Sequence, residues 1–311
     1  MNSKILIVGG SGFIGRAIQK YVIESKQEKD FIFTYYNNPK NISDRLKKKR
    51  LDLLNDIETT IAEKISSVIY LAGNSYPTLA YLNPQKDVKL NVICLLNLIE
   101  KLSETIGNNL NMVILSTQAV YHGLKGEIHE GTIHIPSTPY GLSKFMAEQY
   151  AKLYYSGGKI NNLWIFRLMY AYGDGEKETR LIPRCAKAAS SGSTVEIYNW
   201  SSYLNPLPSH FVAKVLIHTA YMMTKMHCRS YKVINLNYPD NISVGDVILF
   251  LKNISDFRYR IYNSPKDAQI KFWGNTNTLI KLLNSWKIEL PNIWRDMEQY
   301  YLRLLEKFDE V

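Results

Sequence analysis

The amino-acid sequence predicts an α/β fold in which helices cover both faces of a parallel β-sheet. In the first half of the 311-residue chain, short β-branched runs alternate with amphipathic stretches of helical period. This alternation favours parallel strands, because right-handed crossover helices pack on the sheet whose strands they connect. The composition, with 46% apolar and 21% charged residues, is typical of a globular protein with a sizeable core. Near residue 174 the alternation ends, which indicates a second lobe of different construction.

The elements of the first lobe follow one another in a regular order. Short apolar runs predict strands at residues 4–8, 31–35, 67–71, 112–116 and 163–168. Apolar residues at helical spacing predict helices at residues 14–24, 57–64, 87–104 and 144–155. Together these elements predict a doubly wound sheet over residues 1–174.

The second lobe mixes helices and strands without regular alternation. Helices are predicted at residues 180–190, 209–226 and 244–253, and strands at residues 195–198, 232–236 and 258–262. We therefore expect residues 175–311 to form mainly a smaller α+β lobe that binds the substrate. Some of its segments, including one strand, are expected to return to the main sheet.

The charge and the sequence patterns limit which classes of ligand are expected. The formal net charge is +10, from 38 Lys and Arg against 28 Asp and Glu, which favours phosphate-bearing ligands. No aromatic ladder, zinc knuckle or helix-turn-helix pattern accompanies this charge, so a nucleic-acid partner is not expected. His129 and His134 flank one loop without a third ligand at metal spacing, so no metal is expected.

Localisation and redox state follow from simple counts. No apolar run approaches the roughly 18 residues of a membrane span, and the N-terminus has no extended apolar region of a secretory signal. We therefore expect a cytoplasmic protein with no membrane partner. Cys94, Cys185 and Cys228 fit no zinc spacing and cannot all pair, so they are interpreted as reduced thiols.

The first motif, KILIVGGSGFIG, ends a strand with three glycines at GxxGxxG spacing and opens a helix. Gly9 allows the tight turn, Gly12 the close approach of a pyrophosphate, and Gly15 the packing of the helix. The free N–H groups of the helix N-terminus favour a phosphate. The motif therefore predicts dinucleotide binding by a Rossmann-type sheet.

Six further motifs follow in order: RLDLLND, VIYLAGN, NPQKDVKLNVICLLNLIEKL, VILSTQAVYH, PYGLSKFMAEQY and FRLMYAYGDGE. This series resembles the extended short-chain dehydrogenase/reductase (NAD-dependent epimerase/dehydratase) family, whose members mostly act on nucleotide sugars. The likeness is specific over residues 4–175 and looser beyond. With the glycine motif and the second strand end, it implies cofactor contacts from Gly9, Gly12, Phe13, Ile14, Gly15, Asn37, Lys40, Asp52, Leu53, Leu71, Ala72, Gly73, Asn91, Ser116, Tyr140, Lys144 and Met169.

Three residues are the candidates for catalysis. Tyr140 and Lys144 form a YxxxK pair, which places the phenol and the ammonium one turn apart on the same helix face. The ammonium lowers the pKa of the phenol, so that it can give or take a proton near neutral pH. By resemblance, Thr117 supplies the hydroxyl that hydrogen-bonds the substrate oxygen.

Departures from the family pattern limit which of the family's reactions are expected. The 4,6-dehydratases of the family carry Asp and Glu after the catalytic Thr, where this chain has Gln118 and Ala119. Dehydration is therefore not expected. Other family positions are changed to Tyr170, His122, Ala213 and Lys214, so the residues that bind the substrate diphosphate are not identified.

The cofactor is expected to be NADP(H) rather than NAD(H). NAD-preferring members end the second strand with an acid that binds the ribose hydroxyls, but here the strand ends in Tyr35, Tyr36, Asn37 and Asn38. No carboxylate at this position repels a 2′-phosphate. Asn37 or Asn38 can donate to it, and the nearby Lys40 and Arg45 add positive charge.

The leading hypothesis is a ketoreductase that reduces a 4-keto-6-deoxyhexose carried by a nucleoside diphosphate. The chain resembles the abequose and paratose synthases of O-antigen and lipopolysaccharide biosynthesis, notably in GDGEKETRLIP. A 4-epimerase with tightly bound NAD would use the same three residues, and a non-catalytic dinucleotide-binding protein is the alternative from another class. The family likeness also implies a homodimer, formed by the helices at residues 87–104 and 144–155.

Overall fold

The computed structural model describes residues 4–55, 57, 61, 64–262 and 269–310. Its strands are β1 (Lys4–Val8), β2 (Phe31–Tyr35), β3 (Lys48–Arg50), β4 (Ile65–Tyr70), β5 (Asn111–Thr117), β6 (Gly126–Ile128), β7 (Asn162–Leu168), β8 (Tyr170–Tyr172), β9 (Thr194–Ile197), β10 (Pro206–Pro208), β11 (Ser230–Leu236), β12 (Arg258–Ile261) and β13 (Phe272–Gly274). Its helices are α1 (Phe13–Glu24), α2 (Pro77–Leu82), α3 (Pro84–Val88), α4 (Cys94–Ile106), α5 (Pro139–Ser156), α6 (Leu181–Ser191), α7 (Ser209–Met223), α8 (Val244–Ile254), α9 (Asn277–Trp286) and α10 (Ile293–Asp309).

The main sheet has seven strands in the order β11-β7-β5-β4-β1-β2-β3. The pairs from β7 to β3 are parallel, which confirms the predicted doubly wound, Rossmann-type fold. The strand order reverses between β1 and β4, because the chain passes from β1 to β2 on one side and from β4 to β5 on the other. Folds of this type bind their ligands in the crevice at such a reversal, which here lies at the carboxyl ends of β1 and β4.

The core beside the sheet explains why these runs form strands. Leu6, Val68 and Met112 are fully buried in the central strands, and Leu98 and Leu102 of α4 pack in the same cluster. Strands covered on both faces need apolar residues at nearly every position, as the sequence of β1 has. The sheet is therefore a rigid support for the loops at its carboxyl edge.

The long helix predicted at residues 87–104 is interrupted. It consists of α3, a π-helical turn at Lys89–Ile93, and α4. A π-turn inserts one residue into the helical repeat and is frequent at functional sites. The apolar spacing alone did not reveal it. The predicted helix at residues 57–64 lies mostly outside the described residues.

The chain folds into two compact units. The first consists of Met1–His122, Ile133–Leu168 and Val212–Ile234, and the second of Gly123–Thr132, Met169–Phe211 and Asn235–Val311. Because the chain crosses between the units several times, both of them are discontinuous in sequence. The division after residue 174 stays a prediction.

The second unit contains short parallel strand pairs and helices around its own core. β8 pairs with β10, β9 with β12, and β6 with β13. α6, α8 and α10 bury residues such as Cys185, Leu251 and Met297 in one cluster. Among the described residues, no helix is both long and apolar enough to span a membrane.

The cysteines have no disulfide partners in the described structure. Burial raises the pKa of Cys94 to about 11 and that of Cys185 to about 12, so both are inert core thiols. Cys228 is exposed.

Candidate active site at the carboxyl ends of the strands

The glycine motif forms a tight loop between β1 and α1. Gly9 has φ +88°, and a Cβ there would lie 2.9 Å from the backbone nitrogen of Ala72. A Cβ on Gly15 would lie 2.4 Å from the carbonyl oxygen of Gly10, so only glycine lets α1 approach the loop this closely. Gly12 is the N-cap of α1 and provides no side-chain cap. The N–H groups of the first turn, at Phe13 and beyond, are therefore open to an anion.

Gln19 ties the loop after β2 to the glycine motif, and sequence reasoning missed it. Its Nε2 donates to the carbonyl oxygens of Gly10 and Asn41, both at 2.8 Å, while its Oε1 accepts from the N–H of Ser43 at 3.0 Å. The side chain is only 6% exposed. This buried amide fixes the segment in which Asn37 and Lys40 were predicted to bind the cofactor.

The end of β2 carries no acid but has a nearby cation. Tyr35 pairs in register with Arg50 of β3, and the Arg50 guanidinium lies 5.6 Å from the centre of the Tyr36 ring. Arg45 instead forms an ion pair with Glu28. Part of the positive charge that was predicted to attract a 2′-phosphate is therefore neutralised. Lys40 is exposed. Arg50, for which no role was predicted from the sequence, is therefore better placed than Arg45 to contact a 2′-phosphate at this strand end.

Asp52 and Leu53 form a structured turn after β3. The carboxylate of Asp52 accepts from the amide of Asn55 at 2.7 Å and from the N–H of Leu54 at 3.1 Å, and these bonds lower its pKa. The carbonyl oxygen of Leu53 accepts from the side chain of Asn97 on α4 at 2.8 Å. These two predicted cofactor contacts therefore lie on a turn that is hydrogen-bonded to α4.

Leu71, Ala72 and Gly73 extend β4 along the glycine loop. The N–H of Leu71 donates to the carbonyl oxygen of Val8 at 2.9 Å, and the backbone of Ala72 occupies the space into which a Cβ on Gly9 would point. Gly73 has φ +133°, and a Cβ there would lie 2.6 Å from Oδ1 of Asn91. The structure thus brings these predicted cofactor contacts together with the glycine motif.

Asn91 is the centre of a buried polar network in the π-turn. Its Oδ1 accepts from the N–H of Asn74 at 2.8 Å, and its Nδ2 donates to Asp87 at 3.0 Å and to Ser143 at 2.9 Å. Ser143 in turn donates to the carbonyl oxygen of Tyr140 at 3.1 Å. Asp87, Asn91 and Ser143 are at most 2% exposed. The network joins the end of β4 to α5, and only Asn91 was predicted.

The N-terminus of α5 packs tightly on the turn that follows β5. Thr138 caps the helix, accepting from the N–H of Gly141 at 3.2 Å. A Cβ on Gly141 would lie 2.2 Å from the carbonyl oxygen of Ala119, so no larger residue fits there without a shift. Tyr140 is 9% exposed and packs against Ala119 in a small apolar cluster. The glycine after Tyr140 thus sets the position of the phenol.

Thr117 and Lys144 lie at this same contact between β5 and α5. The hydroxyl of Thr117 accepts from the N–H of Ala119 at 3.2 Å, and Nζ of Lys144 lies 3.5 Å from the carbonyl oxygen of Leu115. Burial lowers the pKa of Lys144, and the negative charges of Glu148 and Asp87 partly oppose that shift. All three predicted catalytic residues therefore lie at one strand end and the helix packed on it.

Ser116 is bonded to a buried ion pair that the sequence analysis did not find. Its hydroxyl donates to Glu148, which Arg167 of β7 also contacts, through Nε at 3.1 Å and Nη2 at 2.6 Å. Nη1 of Arg167 donates to the hydroxyl of Tyr121 at 2.8 Å. Glu148 and Arg167 are 2% and 5% exposed. Through Ser116 and Arg167, the carboxylate of Glu148 therefore holds α5 against β5 and β7.

Three further residues named from the sequence, Met169, Tyr170 and His122, make the following contacts. Met169 is buried in the second unit, where its N–H donates to the carbonyl oxygen of Leu236 at 3.2 Å. In that unit the hydroxyl of Tyr170 donates to Glu176 at 2.7 Å, and Arg180 stacks on the Tyr170 ring at 4.3 Å. Nδ1 of His122 lies 3.3 Å from the hydroxyl of Thr138.

Comparison with known protein families agrees with this geometry. The model of the "NAD dependent epimerase/dehydratase family" matches residues 5–208. The dTDP-glucose 4,6-dehydratase of Salmonella typhimurium is 26% identical over 224 residues, which cover 63% of this chain and 62% of that enzyme. The GDP-6-deoxy-D-mannose reductase of Pseudomonas aeruginosa is 26% identical over 194 residues, 60% of this chain and 58% of that enzyme. The chain thus matches about 60% of the length of these relatives.

Solved structures share the fold over nearly the whole chain. The UDP-glucuronic acid 4-epimerase from Bacillus cereus, in complex with UDP-glucuronic acid and NAD, has a TM-score of 0.83 and 21% identity, covering 98% of this chain and 99% of its own. MoeE5 in complex with UDP-glucose and NAD has a TM-score of 0.83 and 20% identity, with the same coverage. At this identity the likeness shows the fold.

Proposed function

The chain belongs to the NAD dependent epimerase/dehydratase family, and from that premise we propose that it reduces the 4-keto group of a nucleoside-diphosphate 6-deoxyhexose. The observation that carries the proposal is the contact of α5 with the end of β5, which gathers Thr117, Tyr140 and Lys144. The curated relatives include a reductase of a GDP-linked deoxysugar. We place the reaction in the biosynthesis of a surface-polysaccharide deoxysugar such as those of O-antigen.

The residues of the crevice fit a dinucleotide. The uncapped first turn of α1 offers N–H groups for a pyrophosphate, and the glycine at position 12 leaves room for its close approach. Gly9, Ala72 and Gly73 line the edge between β1 and β4, where such cofactors bind. When bound in reduced form, the nicotinamide supplies the hydride.

The chain's own residues supply the proton and orient the carbonyl. Tyr140 gives its phenolic proton to the sugar oxygen as the carbonyl carbon is reduced. In its ammonium form, Lys144, which lies one helical turn after Tyr140 on α5, favours the phenolate that this leaves behind. Because the hydroxyl oxygen of Thr117 accepts from the N–H of Ala119, its own proton is free to be donated to the sugar oxygen. These three groups need no metal or further acid.

Two observations support net reduction over the other reactions of the family. Gln118 and Ala119 stand after Thr117, so this turn has no carboxyl pair to eliminate water from the sugar. The end of β2 carries Tyr36, Asn37 and the neighbouring Arg50 in place of an acid, which favours NADP(H) over NAD(H).

A 4-epimerase is the second candidate, because solved 4-epimerases share the fold at a TM-score of 0.83. It would use Thr117, Tyr140 and Lys144 in the same roles and return the hydride to the other face of the sugar. It requires tightly held NAD. Retained NAD in the purified protein, without preference for NADPH, would make it the leading function.

The deciding experiment incubates the protein with a panel of 4-keto nucleotide sugars and either NADPH or NADH. We expect loss of the nicotinamide absorbance with one sugar and faster loss with NADPH. Tyr140→Phe removes the proton donor and lowers turnover by roughly a hundredfold or more, with dinucleotide binding nearly unchanged. Wild-type turnover by that variant, or no oxidation of either cofactor by the wild-type protein, would contradict the proposal.

A further inference from the structure

An open cavity of about 530 Å³ lies between α1 and the loop after β2, within the first unit. Its charged and polar walls come from one face of the helix and from the loop, and include Arg16, Lys20, Glu24, Lys40, Asn41 and Ser43. Among the residues that line it, three are cations and one is a carboxylate. This surplus of positive charge fits an anionic ligand.

The charges of α1 are placed against the helix dipole. The positive end of that dipole is at the N-terminus, so it favours acids in the first turn and cations in the last. The first turn of α1 has no acid and its last turn has no cation. Instead, Arg16 lies four residues after the N-cap, Lys20 lies one turn further, and Glu24 ends the helix. Such a departure from a local rule is expected where the residues serve a function, here the binding of an anion beside Arg16.

The cavity adjoins the loop in which the cofactor pyrophosphate is proposed to bind. The side chain of Gln19, which also lines the cavity, donates to the carbonyl oxygen of Gly10 at 2.8 Å. Nδ2 of Asn41 donates to the carbonyl oxygen of Ser11 at 3.4 Å. In Rossmann-type folds the adenosine ribose lies between this loop and the end of the second strand. A phosphate on the 2′-oxygen of that ribose therefore lies beside the cavity.

The chemistry of the cavity distinguishes the two nicotinamide cofactors. NADP(H) carries a phosphate monoester, largely dianionic at neutral pH, where NAD(H) has a neutral hydroxyl. The guanidinium of Arg16 offers a planar set of donors that matches phosphate oxygens, and the ammonium groups of Lys20 and Lys40 add compact positive charges. A hydroxyl would leave these cations without a counter-charge from the cofactor.

We propose that Arg16 and Lys20, together with Lys40, bind the 2′-phosphate of NADP(H) and select this cofactor over NAD(H). The inference rests on the proposed function and names the residues that recognise its cofactor. No role was predicted from the sequence for Arg16 or Lys20. The inference assigns the main recognition of the phosphate to α1, and a smaller part to Arg50 at the strand end.

The test measures cofactor binding without a sugar, so it does not depend on which reaction the protein catalyses. Dissociation constants for NADPH and NADH are measured by nicotinamide fluorescence for the wild-type protein, Arg16→Gln and Lys20→Gln. We expect each variant to bind NADPH about tenfold more weakly, the loss that follows from one charge-assisted hydrogen bond. The dissociation constant for NADH should stay unchanged, which also shows that the glycine loop remains folded.

Two further variants test the position of the phosphate. Lys29→Gln is the matched control, because Lys29 is an exposed lysine just before β2, at the other end of that strand. It should change neither dissociation constant. Arg50→Gln compares the strand end with the cavity, and we expect a smaller loss of NADPH binding than in Arg16→Gln.

The outcomes separate this inference from the proposed function. If Arg16→Gln and Lys20→Gln weaken both cofactors equally, or neither, while the wild-type protein prefers NADPH, the inference is wrong and the proposed function stands. A larger loss in Arg50→Gln than in Arg16→Gln would place the phosphate at the strand end and also overturn the inference. If the wild-type protein does not prefer NADPH, the proposed cofactor preference fails and this inference fails with it.

Discussion

At the scale of single residues, the site depends on side chains that touch no substrate. Lys144 is buried, which disfavours its charged form, and the carboxylate of Glu148 one turn further along α5 opposes that effect. Glu148 is itself held by Arg167 and Ser116. The pKa of Lys144, and with it the proton transfer proposed for Tyr140, therefore depends on the buried ion pair of Glu148 with Arg167.

Glu148→Gln tests this dependence on pH. Without the carboxylate, the pKa of Lys144 falls further below its ordinary value, so the ammonium loses its proton at lower pH. The alkaline limb of the kcat profile is therefore expected to move to lower pH, and the loss of the ion pair lowers the free energy of unfolding by about 3–5 kcal/mol. Glu104→Gln removes an exposed carboxylate of α4 and is the control. An alkaline limb at its wild-type pH in Glu148→Gln would show that Glu148 does not tune Lys144.

At the scale of the elements, the geometry of the site is set where α5 meets the turn after β5. Thr138 caps the helix, and the missing side chain of Gly141 allows the backbone of α5 to reach Ala119. The sequence showed the YxxxK pair but not this contact, because nothing in the spacing tells which atom a glycine approaches.

Gly141→Ala should therefore move α5 away from β5. Its Cβ would meet the carbonyl oxygen of Ala119 at 2.2 Å, and overpacking of this kind costs about 1–3 kcal/mol of stability. We expect a lower melting temperature and a loss of turnover larger than the loss of dinucleotide binding. Gly131→Ala is the matched control, since a Cβ there meets no atom within 4 Å and φ lies outside the positive region. Equal turnover of the two variants would contradict this role of Gly141.

The elements that the sequence predicted well are those with strong local patterns. β1 and β2 were predicted to the residue, because the apolar run of β1 ends at Gly9 and that of β2 is followed, after Tyr36, by the polar residues Asn37 and Asn38. The π-turn at Lys89–Ile93 and the three-residue strand β3 were missed, since their residues fit an ordinary helix or loop equally well. The pairing of Glu148 with Arg167 was missed for another reason. It joins residues far apart in sequence, and no spacing rule relates them.

At the scale of the whole molecule, an exposed apolar stripe on α5 has no partner within the described chain that covers it. Leu142, Tyr150 and Leu153 are 40%, 41% and 65% exposed and lie at helical spacing. Ile93, in the π-turn before α4, is 38% exposed. These residues belong to the two helices for which the family likeness implies a dimer interface. Apolar side chains at helical spacing on a surface favour association with a second helix pair.

We therefore expect a homodimer in solution, and a charge on the stripe should separate it. Leu153→Glu places a carboxylate at the centre of the proposed interface, where burying it unpaired is unfavourable, so light scattering at micromolar concentration should show monomer. Leu249→Glu on α8 is the control: Leu249 is also exposed, at 49%, but lies outside this stripe, and its variant should remain dimeric. A wild-type protein that is monomeric under these conditions would contradict the interface. A Leu153→Glu variant that stays dimeric would instead place the contact elsewhere on the surface. Because Tyr140 and Lys144 are on the same helix as the stripe, we also expect the monomer to keep dinucleotide binding while losing part of its turnover.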